Sequence, residues 1–218
     1  MGILSLLLGL VGCRKAAVTD ETDGRETFDV TAQLNHLLMP LDRGDRYEDP
    51  LEEALSQEGL GEITGGGTMQ EKSGEIDYID VEIALTDLDE GIPFVIGKLE
   101  ECGAPKGSIL WIHTTDPPKQ MPFGRAEGIA IYLDGVNLPD EVYETSDVNV
   151  VIEELNKRLD GHGTMQSHWS GPTETALYFY GDAAGEMEAL LRDFLDSHPL
   201  CKGARVVTIA PKGQSPGD

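Results

Sequence analysis

A short pattern that occurs twice constrains the fold of this chain more than any other feature. GGGTMQ at Gly65–Gln70 and GHGTMQ at Gly161–Gln166 lie 96 residues apart (Gly65 to Gly161). The same spacing pairs apolar residues over most of each half, for example Leu99 with Leu195. A fixed spacing of this kind indicates an internal duplication. The 218 residues are therefore predicted to form two copies of one unit.

Both copies show the same order of periodic patterns. Apolar alternation at Phe28–Leu34 and at Ile129–Leu133 predicts the first strand of each copy. A helical pattern, two strand patterns, a second helical pattern and a last strand pattern follow in each case. The predicted order is β-α-β-β-α-β in residues 27–116 and again in residues 126–211.

This order resembles the ferredoxin-like fold, also called the split βαβ arrangement. The resemblance implies an α+β protein of two tandem units, each an antiparallel sheet with its helices on one face. It is a likeness of fold and identifies no single family. Outside the two units we predict a signal-like apolar segment with a polar tether (residues 1–26), a linker (117–125) and a disordered tail (212–218).

Charge and cysteine content narrow the function classes. The formal net charge of −24 would repel nucleic acid and an anionic membrane face, and it would attract a basic protein. Three cysteines without a CxxC pair argue against a structural zinc site and an iron–sulfur cluster. We predict no cofactor. Whether Cys102 and Cys201 pair is left open by the sequence.

The N-terminal sequence suggests attachment to a membrane. An apolar run from Ile3 to Val11 is too short to span a bilayer but long enough for the core of a signal peptide. Leu10-Val11-Gly12-Cys13 resembles the lipobox of bacterial lipoproteins, which implies lipidation of Cys13 and a place in the cell envelope. The alternative is a cytoplasmic protein whose apolar N-terminal helix docks on its own domain.

The repeated glycine pattern has three interpretations. A phosphate cradle is disfavoured, because the pattern follows a helix and opens a strand and has no sixth glycine or P-loop lysine. A helix-to-strand turn, with glycines at positive φ or in a bulge, fits its position better. In the third interpretation its polar side chains line a ligand site at the junction of the halves; the candidate residues are Thr68, Gln70, His162, Thr164, Gln166 and His168.

Catalytic and metal chemistry have little support in the sequence. The chain contains neither GxSxG nor HExxH. His162 and His168 lie near the second glycine pattern, but exposed loop histidines explain them better than a metal site. We predict no catalytic residue and no metal ligand.

An aromatic pair predicts an internal interface. Tyr178 and Tyr180 alternate with Phe179 on one strand, so they point to the sheet face opposite the helices. Glu82 and Ala84 occupy the matching positions of the first copy. We therefore expect Tyr178 and Tyr180 to pack on the other half or on another chain.

Four functions remain, of which one is a structural envelope lipoprotein without a small ligand. The favoured one is a non-catalytic module that binds a small molecule or a protein; paired ferredoxin-like units of the ACT type bind ligands at such seams, and this analogy is one of fold. The second is an enzyme with its site at the seam. The third is an immunity-type protein that neutralises a basic partner.

Overall fold

A computed structural model describes residues 26–212, and the predicted signal segment, Cys13 and most of the tail lie outside this range. The fold class is confirmed: the chain is α+β, with two antiparallel sheets. The elements of the first unit are β1 (Phe28–Leu34), α1 (Pro40–Arg43), a π-helical turn (Gly44–Glu48), α2 (Asp49–Glu58), β2 (Gly61–Gln70), β3 (Ile76–Leu85), α3 (Leu88–Glu101) and β4 (Ser108–Ile112).

The second unit repeats this order. Its elements are β6 (Glu127–Asp134), α4 (Asp140–Thr145), α5 (Val148–Arg158), β7 (Gly163–Ser170), β8 (Glu174–Gly181), α6 (Ala184–Ser197), a 3₁₀ turn (Pro199–Cys201) and β9 (Arg205–Ala210). The strand order is β2-β3-β1-β4 in the first unit and β7-β8-β6-β9 in the second, which is the ferredoxin-like order.

The segment interpreted as a linker contains an additional strand. Residues Lys119–Phe123 form β5, which pairs antiparallel with β4 and becomes the edge of a five-stranded sheet. Phe123 lies opposite Ser108 and is only 7% exposed. The second sheet has four strands.

The expected glycine turn lies elsewhere. Gly65, Gly66 and Gly67 are inside β2, and none has a positive φ. The helix-to-strand turn is made six residues earlier by Gly59, which ends α2 with φ 67°. Gly66 instead allows neighbouring atoms to approach the backbone closely. A Cβ there would collide with Glu48 and lie 2.9 Å from the carbonyl oxygen of Asp80.

The two copies of the glycine pattern are not structurally equivalent. A β-bulge falls between Ile63 and Gly65 in β2 and between Met165 and Ser167 in β7. Ile63 and Met165 therefore correspond, since each lies opposite a matching core residue of the next strand. The spacing between corresponding residues in these strands is 102, not 96. Thr68 and Gln70 are consequently not the counterparts of Thr164 and Gln166.

Two apolar clusters form the core, and one of them joins the units. The second unit has its own cluster between its sheet and helices α5 and α6. The larger cluster contains the core of the first unit together with residues from the open face of the second sheet: Ala130, Ala176, Tyr178, Tyr180, Ile209 and Ala210. The seam between the units is thus continuous with the core of the first unit. Cys102 and Cys201 are free thiols.

Candidate functional site

Tyr178 and Tyr180 are buried at the seam, where their hydroxyls hydrogen-bond to the first unit. The Tyr180 oxygen accepts the backbone N–H of Leu37 at 3.1 Å. The Tyr178 hydroxyl donates to Glu75 at 2.6 Å, and Tyr132 donates to the same carboxylate oxygen at 2.7 Å. Burial raises the pKa of Tyr178 and Tyr132, and the hydrogen bonds to Glu75 raise it further because they stabilise the phenol forms.

The loop after β1 carries polar groups into this interface. Asn35 Nδ2 donates to the carbonyl oxygens of Lys106 and Ile209, each at 2.9 Å, and so joins a residue of each unit. Lys106 also pairs with Glu127 of the second unit at 2.6 Å. Directed polar contacts of this kind fix how the units sit on one another, because their loss would leave buried groups unpartnered.

His36 is the most unusual side chain of the seam. It is fully buried, its Nδ1 lies 2.7 Å from the Tyr47 hydroxyl, and its ring lies 4.2 Å from the ring of Tyr180. Burial, with Arg46 nearby, lowers its pKa to about 3, and the side chain of Gln166 opposes this shift slightly. The ring is therefore neutral at physiological pH.

Two buried polar atoms beside each other lack hydrogen bonds of normal geometry. They are His36 Nε2 and Gln166 Oε1. If Tyr47 donates to Nδ1, the ring hydrogen lies on Nε2 and faces Gln166. The two atoms are then a donor and an acceptor that face each other across the seam.

A pair of neighbouring grooves is lined in part by Gln166, and we call them the seam grooves. One, of about 350 Å³, is lined mainly by the second unit: Met39, Asp42, Ile152, Asn156, Met165, Gln166, Ser167 and His168. The other, of about 320 Å³, is lined mainly by the first: Leu38, Asp42, Asp45, Arg46 and Gln166. Both share Asp42 and Gln166, so they adjoin at the seam.

The structure brings only part of the predicted site together. Gln166 and His168 line the seam grooves. Thr164 donates to Asn156 at 3.2 Å, and Asn156 lines one groove. His162 is half exposed and lies 3.2 Å from Glu186, on the α6 side of the unit. Thr68 and Gln70 belong to β2, where Thr68 accepts a hydrogen bond from Arg43 and Gln70 is exposed.

The sequence analysis did not identify the first-unit residues at the seam. His36 was assigned no role, although it stands in the apolar run LNHLL directly after a strand, which is a signal for a buried histidine. Asp42, Asp45 and Arg46 carry no motif. Their position depends on α1 and the π-helical turn, which have no counterpart in the predicted helix pattern.

The open face of the first sheet is a separate polar surface. Asp80 and Glu82 of β3 point away from the helices, beside Gly65 and Gly67, and Tyr78 and Trp111 share the face. The pKa of Asp80 is raised by burial and by the Glu82 carboxylate, and its Oδ1 is a buried atom without a partner. This face therefore presents two close carboxylates flanked by aromatic rings.

Residues 26–212 contain no cluster of three His, Cys, Asp or Glu side chains that could hold a metal ion. Among the helices of this part of the chain, none is long and apolar enough to cross a membrane.

Comparisons with known proteins give no family. No family model matches the chain, and no curated protein matches it. Among solved structures, an unknown protein from Galdieria sulphuraria is 10% identical, with 84% of this chain and 96% of that chain covered and a TM-score of 0.25. The first two RRM domains of yeast poly(U)-binding protein (Pub1) are 14% identical, with 83% and 99% covered and a TM-score of 0.24.

Proposed function

We propose that this protein is a non-catalytic binding module whose small-molecule site is the pair of seam grooves. The observation that carries this proposal is Gln166, which lines both grooves where the two units meet and whose Oε1 makes no hydrogen bond of normal geometry. The side-chain amide of Gln166 can offer a donor and an acceptor to a ligand in these grooves. Ligand pockets usually combine apolar walls with a few such placed polar groups.

The charges of the grooves indicate the chemistry of the ligand. Asp42 and Asp45 suit an ammonium group, and Arg46 suits a carboxylate. Met39, Ile152 and Met165 provide an apolar wall next to them. A small α-amino acid with an apolar side chain has all three features, and its size suits grooves of about 320 and 350 Å³.

A binding role is favoured over catalysis at the same place. A general base works best when its pKa is near the operating pH. His36, with a pKa of about 3, is a weak base. Ser167, the hydroxyl of this wall, donates to the carbonyl oxygen of Leu37 and has no histidine partner in the described hydrogen bonds. The groups present can hold and orient a ligand.

The proposal is tested by thermal unfolding with a panel of apolar L-amino acids, including leucine, methionine and phenylalanine. A ligand at one hundred times its Kd stabilises the folded state by about 2.7 kcal/mol. We expect stabilisation by at least one of the three, and its loss in Gln166→Leu and Asp42→Asn. Gln70→Leu is the matched control, since Gln70 ends the sequence copy of the same pattern on exposed β2. Equal loss in Gln70→Leu, or no stabilisation by any amino acid, would refute the proposal.

A basic protein is the second candidate partner. The open face of the first sheet supports it, because Asp80 and Glu82 lie together there and Asp80 Oδ1 lacks a partner. A lysine or arginine of an immunity-type target would pair with both carboxylates. The same charge, with the net charge of −24, disfavours nucleic acid. Binding of a basic target that persists in Asp80→Asn/Glu82→Gln would contradict this assignment.

We also propose that the chain is held in the cell envelope through a lipid on Cys13, as its lipobox-like sequence implies. The mass of the protein purified from its own cells tests this. A mature chain that begins at a diacylglyceryl Cys13 is expected, whereas an intact unmodified N-terminus would place the protein in the cytoplasm.

A further inference from the structure

The outer edge of the first sheet is covered by a strand for which the second sheet has no equivalent among residues 26–212. β5 pairs with β4 over five residue pairs, from Ser108 with Phe123 to Ile112 with Lys119. β9 is the counterpart of β4, and it pairs with β6 on one side only. Its other edge presents backbone groups without a strand partner in the described chain, which is the arrangement that accepts an added strand.

β5 is held by two side-chain anchors. Phe123 packs into the large apolar cluster. Two residues later, Arg125 pairs with Glu100 of α3 at 2.7 Å, and the backbone N–H of Gly124 donates to the other oxygen of that carboxylate at 3.1 Å. The strand thus ends in a buried aromatic ring, and the basic side chain two residues later is paired with α3.

The second unit contains counterparts of the α3 and β4 residues that contact β5 and Arg125 in the first unit. The spacing of 96 holds for α3 and α6, which are each 14 residues long, and for β4 and β9. Glu100 therefore corresponds to Asp196, Ser108 to Ala204 and Leu110 to Val206. Asp196 makes no ion pair with another residue of 26–212.

A groove of about 420 Å³ lies where Phe123 lies in the first unit. Leu195, Ala204 and Val206 form its apolar part, and Asp196 lies at its rim. We propose that this groove and the free edge of β9 bind an extended segment of a partner protein, added antiparallel to β9. The segment carries an aromatic residue, opposite Ala204, and an arginine or lysine two residues later that pairs with Asp196.

The helix wall of the groove makes the second site different from the first. Glu188 and Arg192 line it, ion-paired at 2.8 Å, where the matching residues of α3 are Ile92 and Ile96. The partner segment is therefore expected to be polar at the position that Met121 occupies in β5, two residues before the aromatic anchor. This surface lies apart from the seam grooves, so the inference does not depend on the proposed small-molecule site.

The probe for this site is a synthetic peptide with the sequence of residues 119–125, KQMPFGR, added to the full chain. Its binding, measured by fluorescence polarisation, is expected to be saturable and to exceed that of a scrambled peptide of the same charge. Asp196→Lys should weaken binding at least about tenfold, because it replaces attraction by repulsion. Asp193→Lys makes the same charge change at a neighbouring exposed residue of α6 outside the groove, and it should change the affinity by less than about twofold.

A charge exchange separates the proposed contact from general attraction to an acidic protein. The peptide KQMPFGE should bind the Asp196→Lys variant better than it binds the unmodified chain. Absence of saturable binding at millimolar peptide, equal binding of the scrambled peptide, or equal effects of Asp193→Lys and Asp196→Lys would each overturn the proposal.

Discussion

The backbone N–H of Leu37 donates a 3.1 Å hydrogen bond to the phenolic oxygen of Tyr180, and both residues are buried. Leu37 follows the first strand of one unit, and Tyr180 lies near the end of a central strand of the other. Together with the Glu75 and Asn35 contacts, this bond makes the two repeats one packed body. The seam grooves exist only because the units are fixed in this arrangement.

Replacement of Tyr180 by phenylalanine tests this bond. The change leaves the Leu37 N–H buried without an acceptor, so we expect the free energy of unfolding to fall by about 1–3 kcal/mol. Tyr78→Phe is the control, since Tyr78 is half exposed and makes no side-chain hydrogen bond within residues 26–212, and its effect should stay below about 0.5 kcal/mol. Urea unfolding measures both. Equal effects would contradict a structural role for the seam bond.

Alkaline pH is expected to weaken the seam. The folded state raises the pKa of Tyr178 and Tyr132, because both hydroxyls are desolvated by burial and donate to Glu75. The folded protein therefore holds these protons more tightly, and its stability falls as pH rises above the unfolded tyrosine value of about 10. In Tyr178→Phe the decline of the unfolding midpoint above pH 10 should be shallower. An unchanged slope would show that Tyr178 is not ionised on unfolding in this range.

Acid should destabilise the protein through His36. Its pKa is lowered to about 3 from an ordinary value of 6.5, so the unfolded chain binds a proton that the folded chain excludes. Stability contributed by the neutral ring is complete above pH 6.5 and is lost as pH falls toward 3, by at most about 1.4 kcal/mol per pH unit.

His36→Gln should remove this dependence from the stability curve between pH 6.5 and 4. His113→Gln is the control, because His113 is exposed at the end of the fourth strand. If both variants keep the slope of the unmodified protein, His36 does not titrate on unfolding as proposed.

Gly66 of the repeated pattern and Gly97 of α3 differ in the space around them. Gly66→Ala would force a Cβ into Glu48 and disturb its 2.6 Å ion pair with Arg43, so we expect a loss of about 1–3 kcal/mol. Gly97→Ala is the matched change in open space on α3, where alanine should stabilise the helix by up to about 1 kcal/mol. Thermal unfolding compares the two. A neutral Gly66→Ala would remove the packing explanation for the glycine in β2.

The sequence predicted the order of elements well and the site only in part. Alternation and helical periods give the twelve elements of the two repeats, because each has one apolar face. The spacing of 96 holds from β3 to β4, but it misaligns β2, since the β2–β3 hairpin is longer than the β7–β8 hairpin. A six-residue match inside a strand cannot reveal that difference.

The remaining features of the fold and the site depend on packing between residues far apart in the sequence. Tyr178 and Tyr180 were predicted to face an interface from their alternation alone. Asp42, Asp45 and Arg46 reach Gln166 only through a short helical segment after β1, and no local pattern encodes that meeting. β5 was missed because KQMPF contains a proline and two exposed polar residues, as edge strands often do.

Amide chemical-shift mapping tests the central claim most directly. The ¹⁵N-labelled protein would be titrated with L-leucine, L-methionine or L-phenylalanine, whichever stabilises it most. We predict saturable shifts that are largest at Gln166, His168, Asp42 and Arg46, residues that line the seam grooves from both units. Shifts that are absent, or that centre on Thr68 and Gln70 of β2 instead, would contradict the seam as the binding site.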